Sequence, residues 1–312
     1  MSANFPTQKS DRVRADSLRG ILLPFTTPFL ANGDLDLQAL RSNLNRWNKT
    51  GIIGYAAVGS TGERAHLDER EYIQLIEAAR AEVPADLLFI VGAGQHSTRN
   101  TVAEIKQAAA AGADAVLVLT PHYYRPAMTQ EVLTDHYLAV AEASPVPVIL
   151  YSMPALTGIK IAPETVARLS EHENIIGLKD SSNQMEEFAT TVSLCQKDFA
   201  VLTGNGTVLH PALTAGARGG ILAVGCVVPE ACLEILSAFR DGENERAASL
   251  QETLTPLATA VTTRFGIGGL KAALEMNGYK GGAVRAPLRA PDASAREEVA
   301  RLLRAVQASM NQ

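Results

Sequence analysis

Lys179 and Tyr151 each close a short apolar run, "NIIGLK" (174–179) and "VPVILY" (146–151). A lysine reached directly through Ile175, Ile176, Gly177 and Leu178 is an amine with little water around it. Burial disfavours its charged form, so its pKa is expected to fall, and a neutral amine attacks a ketone to form a Schiff base. The resulting iminium withdraws electrons from the neighbouring carbon, where a C–C bond then breaks or forms. That chemistry needs no metal and no organic cofactor. Tyr151 supplies a phenol that moves protons when held within hydrogen-bond reach of the reacting group. "GSTGE" (59–63) brings two hydroxyls, Ser60 and Thr61, in a glycine-flanked turn whose backbone N–H groups suit a carboxylate. "TPHYYRP" (120–126) adds Tyr123 and Tyr124 as gating or proton-relay candidates.

Each candidate has a plainer reading. Lys179 snorkels into solvent or pairs with Asp180. Tyr151 packs its ring and bonds a backbone carbonyl. "GSTGE" is an ordinary loop with Ser60 or Thr61 capping the next helix. The paired tyrosines are aromatic packing within a loop. Asp180 reads as an orienting or capping group.

The elements that must position these residues repeat along the chain. Eight continuous apolar runs, starting with "GILLPFTTPF" (20–29) and ending with "GGILAVG" (219–225), fit parallel strands covered on both faces. Helical stretches separate them: 68–83 with a charged first turn, 101–113 ending near Gly112, and 163–173 opening on proline. Eight strands alternating with helices predict a (β/α)8 TIM barrel, in which chemistry collects at the C-terminal strand ends. A doubly wound sheet is the competitor, but no GxGxxG turn follows the first strand. The predicted organisation is a polar N-terminal tail (1–19), the barrel (20–228) and a C-terminal helical domain (229–312).

Composition narrows the function classes. The 312 residues carry a net charge of -5, with 46% hydrophobic and 20% charged residues, which suits a soluble globular chain. No basic stripe interleaved with aromatics points to nucleic acid, and no apolar run approaches the ~20 residues of a membrane span. The first twenty residues lack the apolar core of a signal peptide. Cys195, Cys226 and Cys232 form no CxxC pair and no metal-like cluster, so a reduced, cytoplasmic setting without a metal is expected.

Taken together, "GSTGE", "TPHYYRP", "YSMPALTG" (151–158) and "GLKDSS" (177–182) resemble the dihydrodipicolinate synthase and N-acetylneuraminate lyase family of class I Schiff-base aldolases. The resemblance runs from about Gly20 to Pro287. It implies the barrel with C-terminal helices, a homotetramer built as a dimer of dimers, and a pyruvate-type 2-oxo acid as substrate. By position it implies Lys179 as the Schiff-base lysine and Tyr151 as its catalytic tyrosine. Ser60 and Thr61 fall where the family binds the pyruvoyl carboxylate and relays protons. Tyr123 falls on a tyrosine lent across a dimer interface, and Gly204 and Leu222 fall on the floor of the pyruvate pocket.

Within that family, Leu156 stands where the lysine-pathway synthases have an arginine for the second substrate's carboxylate, and a leucine forms no bidentate pair. "YSMPALTG", "HENIIGLKDS" and "AVTTRFGIGGLKAALEMNGYKGGAVRAPL" (260–288) resemble the 4-hydroxy-2-oxoglutarate aldolases, which implies reversible cleavage of that substrate to pyruvate and glyoxylate. The alternatives are 4-hydroxy-tetrahydrodipicolinate synthase, a sialic-acid-type lyase and a dehydratase or lyase of a sugar-derived acid. Outside that chemistry stand a non-catalytic 2-oxo acid binder and a phosphate-binding barrel using "TGNG", "ARGG" and Arg218.

Overall fold

All eight apolar runs become parallel strands that close into one barrel, in sequential order, in the computed structural model, which describes residues 13–310. The strands are β1 (Ile21–Leu23), β2 (Gly54–Ala57), β3 (Leu88–Ala93), β4 (Ala115–Leu119), β5 (Val148–Ser152), β6 (Ile175–Asp180), β7 (Ala200–Thr203) and β8 (Gly219–Ile221). Between them run α1 (Leu37–Trp47), α2 (Glu69–Glu82), α3 (Thr98–Ala110), α4 (Gln130–Ala143), α5 (Pro154–Thr157), α6 (Pro163–Leu169), α7 (Met185–Leu194) and α8 (Leu209–Thr214). After the barrel come α9 (Pro229–Arg240), α10 (Asn244–Thr259), a π turn (Ala260–Arg264), α11 (Gly266–Met276) and α12 (Ala293–Ser309).

Local sequence explains where the helices start. Asp36, Asp68, Ser97 and Thr129 cap α1 to α4, each side chain accepting a first-turn backbone N–H. Asp68 and Glu71 form a reciprocal capping box. The Ser97 cap starts α3 earlier than the predicted 101, and α6 ends at Leu169 rather than at 173.

Two apolar layers hold the barrel. Leu22, Ile90, Leu117, Ile149, Leu202 and Ile221 fill the lumen, while Leu23, Tyr55, Val91 and Val118 face the helices. Such side chains contribute about 1.5–3 kcal/mol each on burial. The N-terminal end of the lumen is closed by the start of the described chain. Val13, Ala15 and Leu18 are buried in the lumen cluster, so the polar-tail reading does not extend over 13–19. Residues 1–12, with the rest of that tail and of the signal-peptide reading, lie outside the described residues.

The stretch between α11 and α12 departs from the all-helical expectation. It runs back over the C-terminal mouth of the barrel. Tyr279 stacks on Trp47 with ring centroids 5.1 Å apart. Asn43 and Lys280 exchange two hydrogen bonds of 2.8 Å, side chain to backbone. Ala283 pairs with Phe29 in an isolated bridge. Gly282, at φ +70, has no room for a side chain there: a Cβ would lie 2.9 Å from the Phe29 backbone.

Candidate active site

Strand register brings the two main candidates together. Tyr151 and Lys179 are direct partners across β5 and β6, and both point into the lumen near its C-terminal end. The Lys179 side chain is buried, at 5% exposure, and its Nζ lies 4.3 Å from the centroid of the Tyr151 ring. The snorkelling and pairing readings of Lys179 both fail. Asp180 turns the other way and accepts the Ser182 backbone N–H at 2.7 Å, and among the described residues no carboxylate forms an ion pair with Lys179. Burial pushes the Asp180 carboxyl above its usual value.

The Tyr151 phenol meets a hydroxyl. Its oxygen lies 3.4 Å from Ser60 Oγ, not on a backbone carbonyl. Burial alone would raise its pKa. The Lys179 charge, with hydrogen bonds from Ser60, Lys179 and Ser181, outweighs that and holds it below the ordinary tyrosine value.

The turn that delivers Ser60 is strained. Val58 (φ 47) and Glu63 (φ 56) bracket it, and they are the two non-glycine residues with positive φ among the described residues. Such conformations cost about 1–3 kcal/mol each and mark sites where the surroundings over-determine the backbone. The turn does not cap α2, because Asp68 does that. Ser60 rather than Thr61 reaches the phenol; Thr61 is half-buried and forms no side-chain hydrogen bond among the described residues. The hydroxyl of this turn that meets the phenol is thus that of Ser60.

Gly204, on the loop after β7, packs against Lys179 and Ser181. A Cβ there would lie 2.0 Å from Ser181 Oγ and 2.6 Å from Lys179 Cε, so only glycine leaves space beside the amine. Leu222 does not reach the cleft: it is fully buried in the helix-side core, near Gly220 and Gly225. Tyr123 is 72% exposed and does not line the cleft; its ring meets Tyr124 edge-to-face and His96, at the cleft wall, at a tilt, with centroids 5.0 and 5.7 Å away. Arg218 lies at the opposite end of the barrel. It precedes β8 and binds Asp16 at 2.8 Å, which removes the cation from the phosphate-site reading. Sequence reasoning missed Ser181, although it lies two residues beyond Lys179 and strand alternation puts such residues on one face.

Above Tyr151 opens a cleft of about 560 Å³. Gly92 and Leu117 line its depth, and Leu156, Ile267 and Leu288 its apolar mouth. Leu156 is 62% exposed on α5. Ile267 and Leu288 come from beyond the barrel, so the C-terminal stretch contributes to the site as well as to packing.

Comparison with known proteins follows the geometry. A family profile described as "Dihydrodipicolinate synthetase family" matches residues 17–306. The 4-hydroxy-tetrahydrodipicolinate synthase of Methanothrix thermoacetophila is 37% identical over 273 residues, covering 86% of this chain and 90% of that protein. Among solved structures, the dihydrodipicolinate synthase of Thermotoga maritima superposes with a TM-score of 0.88 at 32% identity, covering 93% of this chain and 98% of that one. A prophage protein of the dihydrodipicolinic acid synthase family from E. coli K12, solved in complex with pyruvate, gives 0.87 at 28% identity, covering 93% and 98%. These relatives carry the synthase name, and the expected closer kinship with 4-hydroxy-2-oxoglutarate aldolases finds no support in them.

Proposed function

The chain belongs to the dihydrodipicolinate synthetase family, class I enzymes that form a lysine Schiff base with pyruvate, and on that premise we propose that Lys179 and Tyr151 make and break a C–C bond between pyruvate and an aldehyde. The observation behind this is the register pairing of the buried amine with a phenol whose pKa is held down. Lys179 attacks the C2 ketone of the 2-oxo acid, and Tyr151 protonates the leaving hydroxyl as water departs. In the cleavage direction the C4 hydroxyl proton passes to Tyr151, with Ser60 as its hydrogen-bond partner. The C3–C4 bond then breaks, and its electrons flow into the iminium. The aldehyde leaves, the enamine carbon is protonated, and water hydrolyses the imine to free pyruvate. Condensation is the same path reversed. The Ser60–Thr61 turn and the space beside Gly204 are the proposed seat of the pyruvoyl carboxylate. Tyr123, exposed in the single chain, fits a role completed by a second copy in a homotetramer, in the cytoplasm.

The names of the relatives favour aspartate semialdehyde as the aldehyde, and so 4-hydroxy-tetrahydrodipicolinate synthesis. Leu156 favours a second reading. An aliphatic mouth has no cation for a distal carboxylate at that position, so a short partner such as glyoxylate fits, giving 4-hydroxy-2-oxoglutarate cleavage. Borohydride reduction with pyruvate, followed by peptide mapping, is expected to label Lys179; an unlabelled enzyme overturns the Schiff base. A steady-state screen of pyruvate with aspartate semialdehyde, glyoxylate and N-acetylmannosamine then decides the partner. Turnover of aspartate semialdehyde alone removes the glyoxylate reading.

A further inference from the structure

Glu63 ends the strained turn that presents Ser60, and its carboxylate is almost fully buried. Three groups meet it. Lys271 Nζ, from α11, lies 2.6 Å from Oε1. The Arg285 backbone N–H donates to Oε2 at 3.1 Å, and His66 Nδ1 lies 3.2 Å from the same oxygen. Lys271 is itself 2% exposed, and burial lowers its pKa against the pull of Glu63. Its ammonium also donates to Ala283 O at 2.5 Å and sits 4.6 Å from the Phe29 ring centroid. The Arg285 guanidinium stands 4.3 Å from the same ring centroid. The rest of the turn is fixed less firmly, by Thr27 donating to Gly62 O at 2.7 Å and by short backbone bonds such as Gly62 N–H to Gly59 O at 3.0 Å.

We infer that Lys271 is a positioning residue for the proton-transfer pair: through Glu63 it holds the 59–63 turn in the strained shape that sets Ser60 against the Tyr151 phenol. Left-handed backbone at Glu63 persists only where its surroundings demand it. The demand here comes from a buried carboxylate that must meet Lys271 and the Arg285 N–H in one place. Lys271 sits on a helix beyond the barrel and, among the described residues, forms no hydrogen bond or ion pair with Lys179 or Tyr151. The inference rests on Ser60 and Tyr151 being the proton-handling pair of the proposed function.

The test reads Tyr151 directly, without substrate. Ultraviolet difference titration of tyrosinate, with Tyr151→Phe as the blank, is run on the wild type, Ser60→Ala, Lys271→Met and Glu63→Gln/Lys271→Met. The double variant leaves no buried charge unpaired, so it carries the test should Lys271→Met be too unstable to titrate. The groups facing the phenol are Lys179, Ser60 and Ser181, and of these only Ser60 depends on the turn. The Tyr151 midpoint is expected to rise in Lys271→Met and in the double variant as it does in Ser60→Ala. With pyruvate and the active aldehyde, kcat is expected to fall by up to about 100-fold, as misplaced groups lose rate. Borohydride labelling of Lys179 is expected to persist. Adding Lys271→Met to Ser60→Ala costs no further rate. A folded double variant with an unchanged Tyr151 midpoint, or rate losses that multiply in the combined variant, overturns the inference. A wild type that pyruvate and borohydride do not label sinks the functional reading instead, and the titration still decides the role of Lys271.

Discussion

Two lysines are buried at the mouth of this barrel, and their surroundings differ in one respect. Lys271 stands 4.6 Å above the Phe29 ring and Lys179 4.3 Å above the Tyr151 ring. Lys271 has a carboxylate at 2.6 Å and a backbone carbonyl at 2.5 Å. Lys179 is surrounded by hydroxyls, a glycine and a phenol, and no carboxylate is paired with it among the described residues. A carboxylate partner holds the charged ammonium in place and out of reaction. A phenol and two serines leave the amine beside groups that can exchange protons with it. Burial alone therefore does not single out a candidate nucleophile; the partner does.

Exchanging each lysine for methionine separates the two. Lys179→Met is expected to lower kcat/KM by at least about 10⁴-fold and to abolish borohydride labelling, as loss of a covalent nucleophile does. Labelling that persists at another lysine would break the comparison outright. Tyr151→Phe is expected to cost about 10²–10⁴-fold in kcat with the fold intact, measured by steady-state kinetics beside a thermal melt. The stabilities should run opposite to the activities. Lys271→Met strands the Glu63 carboxylate and is expected to lose about 3–5 kcal/mol in denaturant unfolding. Lys179→Met strands no ion and is expected to keep the wild-type midpoint or raise it. Equal losses from both would mean that Lys179 is structural too.

The smallest effect sharpens the paired side. The hydrogen bond from Arg285 holds the Glu71 carboxyl below its usual range, aided by the Arg285 charge and opposed by burial. A carboxylate with a depressed folded pKa adds stability above its unfolded pKa of about 4.3, and that stability fades as pH falls through the folded value. Glu71→Gln is expected to be about 1–2 kcal/mol less stable at neutral pH and to lose less on acidification below about pH 4. Denaturant midpoints measured across that range check both signs.

Several of these features were readable in the chain itself. Continuous apolar runs located all eight strands, because parallel strands covered on both faces need them. Lys179 and Tyr151 were legible as strand ends, and in a barrel that means the catalytic rim. Ser181 was within reach by alternation from Lys179. Arg218 was too, since a residue before β8 lies at the far end of the barrel. The choice of Ser60 over Thr61 was not legible. It depends on positive φ at Val58 and Glu63, which no propensity favours, and on contacts made by residues two hundred positions later. Leu222 looked like a pocket floor by position, yet its side chain is taken up by the core.

The residue order by itself determined the strand count, the direction of every strand and the types of group waiting at their ends, since local periodicity and caps act over a few residues. Tertiary structure alone decided which buried lysine pairs with a carboxylate, which hydroxyl meets the phenol, and that the stretch between α11 and α12 closes over the mouth. Those outcomes depend on distances between side chains far apart in the chain, and only the closed barrel sets those distances.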